Sequence, residues 1–141
     1  MVDGKCLGGG TELILSMDER IAVDAPGVDI VLPEVKIGLF PAWGGSQRLP
    51  RLVGLHHAID IICGGAPVAA KRAAELGLVF DAVDAEELVD AGRRLIEWLA
   101  EDFSRIAPEL VASPRSMYRI YRDTRFSPDK TPYKTQVAAA F

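Results

Sequence analysis

Apolar residues occur along this chain in short runs that glycine and proline separate. The run after the glycine triplet Gly8–Gly10 contains no helix breaker and predicts a buried helix that ends near Met17. The segment "RIAVDA", residues 20–25, has the β-branched alternation of a strand, and residues 29–32 predict a second strand. Residues 33–54 carry three prolines and four glycines, so we expect short turns and helix starts there.

The following residues predict further helices and one more strand. Residues 55–63 form a predicted helix closed by Gly64 and Gly65, and residues 69–77 form another closed by Gly77. Residues 78–83 predict a strand. Asp84 is placed to cap a longer helix from Ala85. Its apolar stripe recurs every three or four residues: Leu88, Ala91, Leu95, Leu99 and Phe103.

Composition and charge narrow the class of protein. A chain of 141 residues with 49% hydrophobic residues is long enough to bury one core. The net charge of −4 argues against a nucleic-acid or anionic-membrane partner, which would require a basic surface. No apolar run approaches the roughly 18 residues that span a bilayer. The two cysteines, Cys6 and Cys63, fit no metal or disulfide pattern, so we predict a reducing, cytoplasmic location and a buried Cys63.

The three consecutive glycines at the start of a predicted helix need a physical reason. A helix start presents free N–H groups, which favour negative charge. A dinucleotide fingerprint would need a third glycine where Leu13 stands, and the Walker pattern lacks its G-K-[ST]. Two uses remain open on the residues alone: close helix packing without a ligand, and stabilisation of an oxyanion that develops on a carbonyl.

Two glutamates are candidates for acid–base chemistry near these glycines. Glu12 lies in the first turn of the predicted helix, and Glu34 follows Pro33, 22 residues later. Two carboxylates in different environments can add and remove a proton and a water across one substrate. The alternatives are an N-terminal charge that the helix macrodipole favours, for Glu12, and a solvated turn residue, for Glu34.

A long ordered run of motifs resembles the enoyl-CoA hydratase/isomerase (crotonase) superfamily. The motifs are "GKCLGGGTELILSMDERIA", "LPEVKIGLFPAWGGSQRLPRLVG" and "AAELGLVFDAV". The resemblance runs from about residue 2 to about residue 100. It implies an α/β fold: part of a crotonase-like β-β-α superhelix, without its N-terminal turns, in residues 1–84, and a helical C-terminal region for oligomerisation in residues 85–141.

The resemblance also implies roles for individual residues. Gly9 matches a backbone N–H donor to the thioester carbonyl, Glu12 the residue that positions and deprotonates the attacking water, and Glu34 the residue that protonates C2. The two acids together favour hydration of a trans-2-enoyl-CoA over isomerisation or decarboxylation. The implied substrate-binding residues are Gly8, Gly10, Leu39, Pro41 and Trp43. Trp43 either lines the acyl pocket or fills the core.

The resemblance further implies partners and leaves alternatives. CoA enters as part of the acyl-CoA substrate, with no separate cofactor and no metal. The family's second oxyanion donor lies upstream of the segment that resembles this chain. We therefore expect a homo-oligomer, a trimer or hexamer as in the family, or a second chain that supplies the N-terminal half, and weak or absent activity from these residues alone unless another chain provides the rest. The competing hypothesis is a catalytically silent module that serves assembly.

Several arginine and histidine side chains could either bind a ligand or have no functional role. Four arginines share one predicted helical face and either contact a CoA phosphate or form a solvated basic surface: Arg115, Arg119, Arg122 and Arg125. His56 and His57 are adjacent and lack a nearby nucleophile, so we predict no catalytic role for them.

Overall fold

A computed structural model describes residues 1–106, with their side chains as far as residue 100. The chain divides into two units, Met1–Leu95 and Ile96–Phe141, and the site described below lies in the first. The predicted boundary after residue 84 stays a prediction. The helices and strands are β1 Cys6–Leu7, α1 Gly9–Ile14, β2 Ile21–Val23, β3 Asp29–Val31, α2 Gly45–Val53, α3 Leu55–Gly64, β4 Val68–Ala69, α4 Ala70–Leu76, β5 Asp81–Val83 and α5 Leu88–Ile106.

Two small sheets carry the site. β1 pairs in parallel with β3, with Leu7 opposite Val31, and β3 pairs antiparallel with β4. In the second sheet β2 pairs in parallel with β5, and all three residues of β2 are buried. Parallel strands covered on both faces have continuous apolar sequences, as β2 does.

The core of the first unit lies between these sheets and the short helices. Its fully buried apolar side chains are Leu32, Leu49, Leu78, Val23 and Val79. Arg20 is also buried, and its guanidinium donates to the carbonyl oxygens of Leu78 at 2.7 Å and Met17 at 2.8 Å. A buried charged donor stabilises a fold when carbonyl groups accept its hydrogen bonds. Arg20 thereby ties the turn after α1 to the segment before β5.

Two of the helices differ from the sequence prediction. α1 ends at Ile14 instead of continuing to Met17, because the Ser16 and Met17 N–H groups donate to carbonyls three residues back and form a turn. Residues 33–54 contain a regular nine-residue helix, α2, where we expected only short turns and helix starts. Pro50 lies in the last turn of α2, where its missing N–H removes a single helical hydrogen bond.

The segment around β5 and α5 confirms part of the prediction. Leu78 and Val79 are not in a strand, because their N–H groups donate to the Ala73 carbonyl and close α4. The prediction that Asp84 caps the helix is wrong: its side chain makes no capping hydrogen bond, and a 3-10 turn, Ala85–Glu87, precedes α5. The buried stripe of α5 is confirmed for Leu88, Ala91 and Leu95.

Several predictions concern residues without a described structure. The side chain of Phe103 and the four arginines of residues 115–125 lie outside the described part of the chain. Among the helices within residues 1–106, none is both long enough and apolar enough to cross a membrane.

Candidate active site

The start of α1 presents free backbone N–H groups. Gly8 precedes the helix with φ 53° and ψ −120°, and its own N–H donates to the Val31 carbonyl at 2.9 Å. Only glycine adopts this backbone conformation easily. No side chain caps this end of α1. The first N–H groups of the helix therefore face away from it without an intrahelical acceptor, which suits an anion or a developing oxyanion.

Gly9 and Gly10 are not required by the conformation or packing of the described chain. Neither has a positive φ. A Cβ added to Gly9 would lie 3.5 Å from the Trp43 ring, and one added to Gly10 would lie 3.9 Å from the Cys6 sulfur. Both distances are ordinary van der Waals contacts. Glycine in a helix costs up to about 1 kcal/mol relative to alanine. Because packing does not require this pair, the two glycines favour the alternative that another molecule comes close to the backbone here.

Glu12 is buried and held by a second helix. Its side chain is 5% exposed, and Oε1 accepts a hydrogen bond of 2.8 Å from the Gly45 N–H. Gly45 is the first residue of α2, so the carboxylate lies at a helix N-terminus, where the macrodipole favours negative charge. Glu12 thus lies in the first turn of α1, as expected, but its carboxylate is buried against the start of α2.

Glu34 approaches the same place from β3. It begins a 3-10 turn, Glu34–Ile37, shortly after β3. Its Oε1 lies 3.0 Å from the position that a Cβ on Gly8 would occupy. Its Oε2 is buried and has no hydrogen-bond partner in the described part of the chain. Glu34 is therefore not a fully solvated turn residue, and its second oxygen has no donor among the described residues.

The loop between β3 and α2 brings an aromatic ring to the glycines. Trp43 contacts the Gly9 position and is 79% exposed, so the alternative that it fills the core is wrong. Pro41 is fully buried and packs against Gly45, while Leu39 is exposed on the same loop.

The structure thus brings together most of the residues that the resemblance implied. The Glu34 carboxylate lies against Gly8 and the Trp43 ring lies against Gly9, while Glu12 and Gly10 belong to the same helix, α1. The two carboxylates have different environments, the condition for dividing acid and base roles. Their roles stay predictions. Sequence reasoning missed Gly45 and Thr11, although the doublet Gly44–Gly45 before a helical segment was a signal of a close approach.

The remaining candidates lie elsewhere. His56 is exposed and 3.7 Å from Asp60 on the same helix. The prediction that Cys63 is buried is wrong, because α3 buries Ala58 and Ile61 and exposes Cys63. In the described residues no three His, Cys, Asp or Glu side chains are grouped to hold a metal ion.

Comparisons with known proteins give a family model and a curated relative. A family model described as enoyl-CoA hydratase/isomerase matches residues 1–132. The chain is 46% identical over 96 residues to the fatty acid oxidation complex subunit alpha of Vibrio cholerae, a match that covers 68% of this chain and 14% of that protein.

Solved structures share the fold. An enoyl-CoA hydratase from Mycobacterium avium is 27% identical, with a TM-score of 0.67, over 97% of this chain and 57% of its own. A protein from Thermobifida fusca in complex with acetoacetyl-CoA is 26% identical, with a TM-score of 0.66, over 97% of this chain and 49% of its own. These matches confirm the predicted crotonase-like α/β fold. The chain spans about half the length of these solved relatives.

Proposed function

The chain belongs to the enoyl-CoA hydratase/isomerase family, and from this premise we propose that it takes part in the addition of water to a trans-2-enoyl-CoA thioester. The observation that carries the proposal is the pair of carboxylates at the start of α1. One of them, Glu12, is fixed by the Gly45 N–H at 2.8 Å. The other, Glu34, keeps one buried oxygen without a partner in the described residues.

The proposed reaction assigns one task to each group. The thioester oxygen accepts a hydrogen bond from the Gly9 N–H, which stabilises the enolate that forms when water attacks C3. Glu12 orients this water and takes its proton, while Glu34 supplies the proton that C2 gains. The addition places OH on C3 and H on C2, so the atoms of one water molecule are conserved. CoA is part of the substrate, and we propose no other cofactor.

Contacts at the glycines support the position of the substrate. Gly9 and Gly10 leave the helix start uncovered by side chains of its own, so a carbonyl can reach the N–H groups. Trp43 lies beside Gly9 and presents an exposed ring, which suits an apolar acyl group. The Thermobifida fusca protein binds acetoacetyl-CoA, a thioester of the same class.

An assay with crotonyl-CoA tests this proposal. We expect turnover, measured as loss of the conjugated thioester absorbance, and a fall of about 100-fold or more in kcat for Glu12→Gln and for Glu34→Gln. Glu86→Gln is the matched control because Glu86 is exposed, and it should leave kcat unchanged. Turnover that survives both active-site changes would reject the paired-acid mechanism. Turnover of a 3-enoyl-CoA alone would assign isomerisation instead.

We also propose that the active form is an assembly. Three large apolar side chains of the β3–α2 segment, apart from the predicted substrate-binding residues, are at least 42% exposed in the isolated chain: Val35, Ile37 and Phe40. Exposed apolar side chains on one segment favour association. The partner is a further copy of this chain, or a polypeptide that supplies the family's other oxyanion donor. Light scattering coupled to size exclusion should show a particle larger than one chain. A monomer that binds no hydrophobic dye would contradict this part.

A further inference from the structure

Thr11 is a buried hydroxyl residue next to the candidate catalytic groups. It is the third residue of α1 and is 1% exposed, so it cannot contact a substrate. Its Oγ1 lies 2.7 Å from the Cys6 carbonyl oxygen and 2.8 Å from the Val31 carbonyl oxygen. Cys6 belongs to β1 and Val31 ends β3. A hydroxyl has a single proton, so Thr11 donates to one of these two carbonyls at a time, and both acceptors lie on the strands beside the start of α1.

These hydrogen bonds fix the peptide groups on either side of Gly9. The Val31 carbonyl accepts from the Gly8 N–H at 2.9 Å as well as from Thr11. Gly8 and Thr11 thus hold α1 to the end of β3 from both sides of Gly9. The chain continues from Val31 through two residues to Glu34. The Val31 carbonyl therefore connects the residues on both sides of Gly9 to the strand that leads to Glu34.

We infer that Thr11 is a positioning residue for the proposed hydration, since its hydroxyl sets the direction of the Gly9 N–H and the placement of Glu12 relative to Glu34. The inference rests on the proposed function. Besides the hydrogen bonds of Glu12 with Gly45 and of Gly8 with Val31, the Thr11 hydroxyl anchors the first turn of α1, which has only six residues and no side-chain cap. Transition-state stabilisation depends on donor geometry to within about 1 Å, so a small rotation of this turn reduces the rate more than substrate binding.

The opposing explanation is that Thr11 only fills space in the core. Two substitutions separate the explanations. Thr11→Val keeps the volume and removes the hydroxyl, whereas Thr11→Ser keeps the hydroxyl and removes the methyl. Ser16→Ala is the matched control, because the exposed Ser16 hydroxyl donates to the Leu13 carbonyl at the other end of α1.

The experiment combines kinetics with amide chemical shifts of the glycines. For Thr11→Val we expect kcat on crotonyl-CoA to fall by about 10- to 100-fold, KM to change by less than about twofold, and the Gly9 amide signal to move. Thr11→Ser should keep kcat within about threefold of the wild type, and Ser16→Ala should match the wild type. If Thr11→Val does not fold, Thr11→Ala, which also lacks the hydroxyl, takes its place.

The outcomes distinguish this inference from the proposed function. A wild-type assembly without turnover defeats the proposed function, and the Gly9 amide in the Thr11 variants then decides the positioning alone. An unmoved Gly9 amide in Thr11→Val overturns the inference in either case. Equal loss of kcat in Thr11→Val and Thr11→Ser also overturns it, because that result assigns Thr11 to packing.

Discussion

Gly45→Ala tests whether the close packing of Glu12 on α2 is real. A Cβ added to Gly45 would lie 2.8 Å from the Pro41 Cβ, 3.0 Å from the Glu12 Oε1 and 3.1 Å from the Glu12 Cγ. Non-bonded carbon atoms prefer about 3.5–4.0 Å. Pro41 is fully buried and rigid, so Glu12 must move or α2 must shift. Alanine keeps the backbone N–H that donates to Glu12, so the substitution tests only the effect of the added methyl group.

The expected cost follows from two opposing effects. Alanine is a better helix former than glycine by up to about 1 kcal/mol, and this gain is smaller at the first position of a helix. Overpacking a close contact costs about 1–3 kcal/mol. We therefore expect Gly45→Ala to lower the free energy of unfolding by about 1–2 kcal/mol.

Urea unfolding followed by circular dichroism measures this difference. Gly64→Ala is the matched control, since Gly64 ends α3 and a Cβ there would have nothing within 4 Å. The control should be neutral or stabilising by up to about 1 kcal/mol. If Gly45→Ala is as stable as the wild type, the close contact between α2 and Glu12 is refuted.

Three further predictions concern thiols, an ion pair and the glycine triplet. Burial raises the pKa of the Cys6 thiol, and a hydrogen bond with Thr11 reduces this effect. A thiol reagent at neutral pH should therefore modify the exposed Cys63 before Cys6. Equal modification rates for the two thiols would contradict this prediction. The hydrogen bond and charge of Asp24 raise the pKa of Lys71 above its usual 10.5. The Lys71–Asp24 pair therefore stabilises the fold below pH 10.5, and this stabilisation is lost as the pH rises through the raised pKa of Lys71. Lys71→Met should lower Tm at pH 8. A Tm difference between variant and wild type that persisted above the raised pKa would contradict a stabilising ion pair. Gly10→Ala should raise the free energy of unfolding by about 0.5–1 kcal/mol while it lowers turnover, and unchanged turnover would argue against close approach of a substrate.

Local signals in the sequence predicted the elements that local physics determines. Gly65 and Gly77 adopt left-handed conformations at the ends of α3 and α4, as the closing glycines indicated. The stripe of α5 was readable from its spacing as far as Leu95. β1 has only two residues, so its sequence carries no periodicity, and only its pairing with β3 defines it.

The candidate site depended on contacts that no local pattern contains. The hydrogen bond from Gly45 to Glu12 joins residues 33 positions apart, and that from Thr11 to Val31 joins residues 20 apart. The resemblance indicated the two carboxylates. Composition and spacing alone did not show whether they lie close together. Neither the resemblance nor the spacing indicated that the Gly45 N–H binds Glu12 or that the Thr11 hydroxyl contacts the Cys6 and Val31 carbonyls, because backbone donors and buried hydroxyls leave no periodic signal.

Packing within the chain requires some of the glycines at the site but not Gly9. Gly8 and Gly45 are needed by the chain itself, since a Cβ at either position would meet the carboxylate of Glu34 or Glu12 at 3.0 Å. Gly9 meets only an ordinary contact, so its presence in α1 lowers helix stability without any gain in packing within the described residues. Gly8 and Gly45 therefore leave room for the two carboxylates, and the proposed function gives a reason for Gly9, the approach of an acyl oxygen, that packing within the described residues does not give.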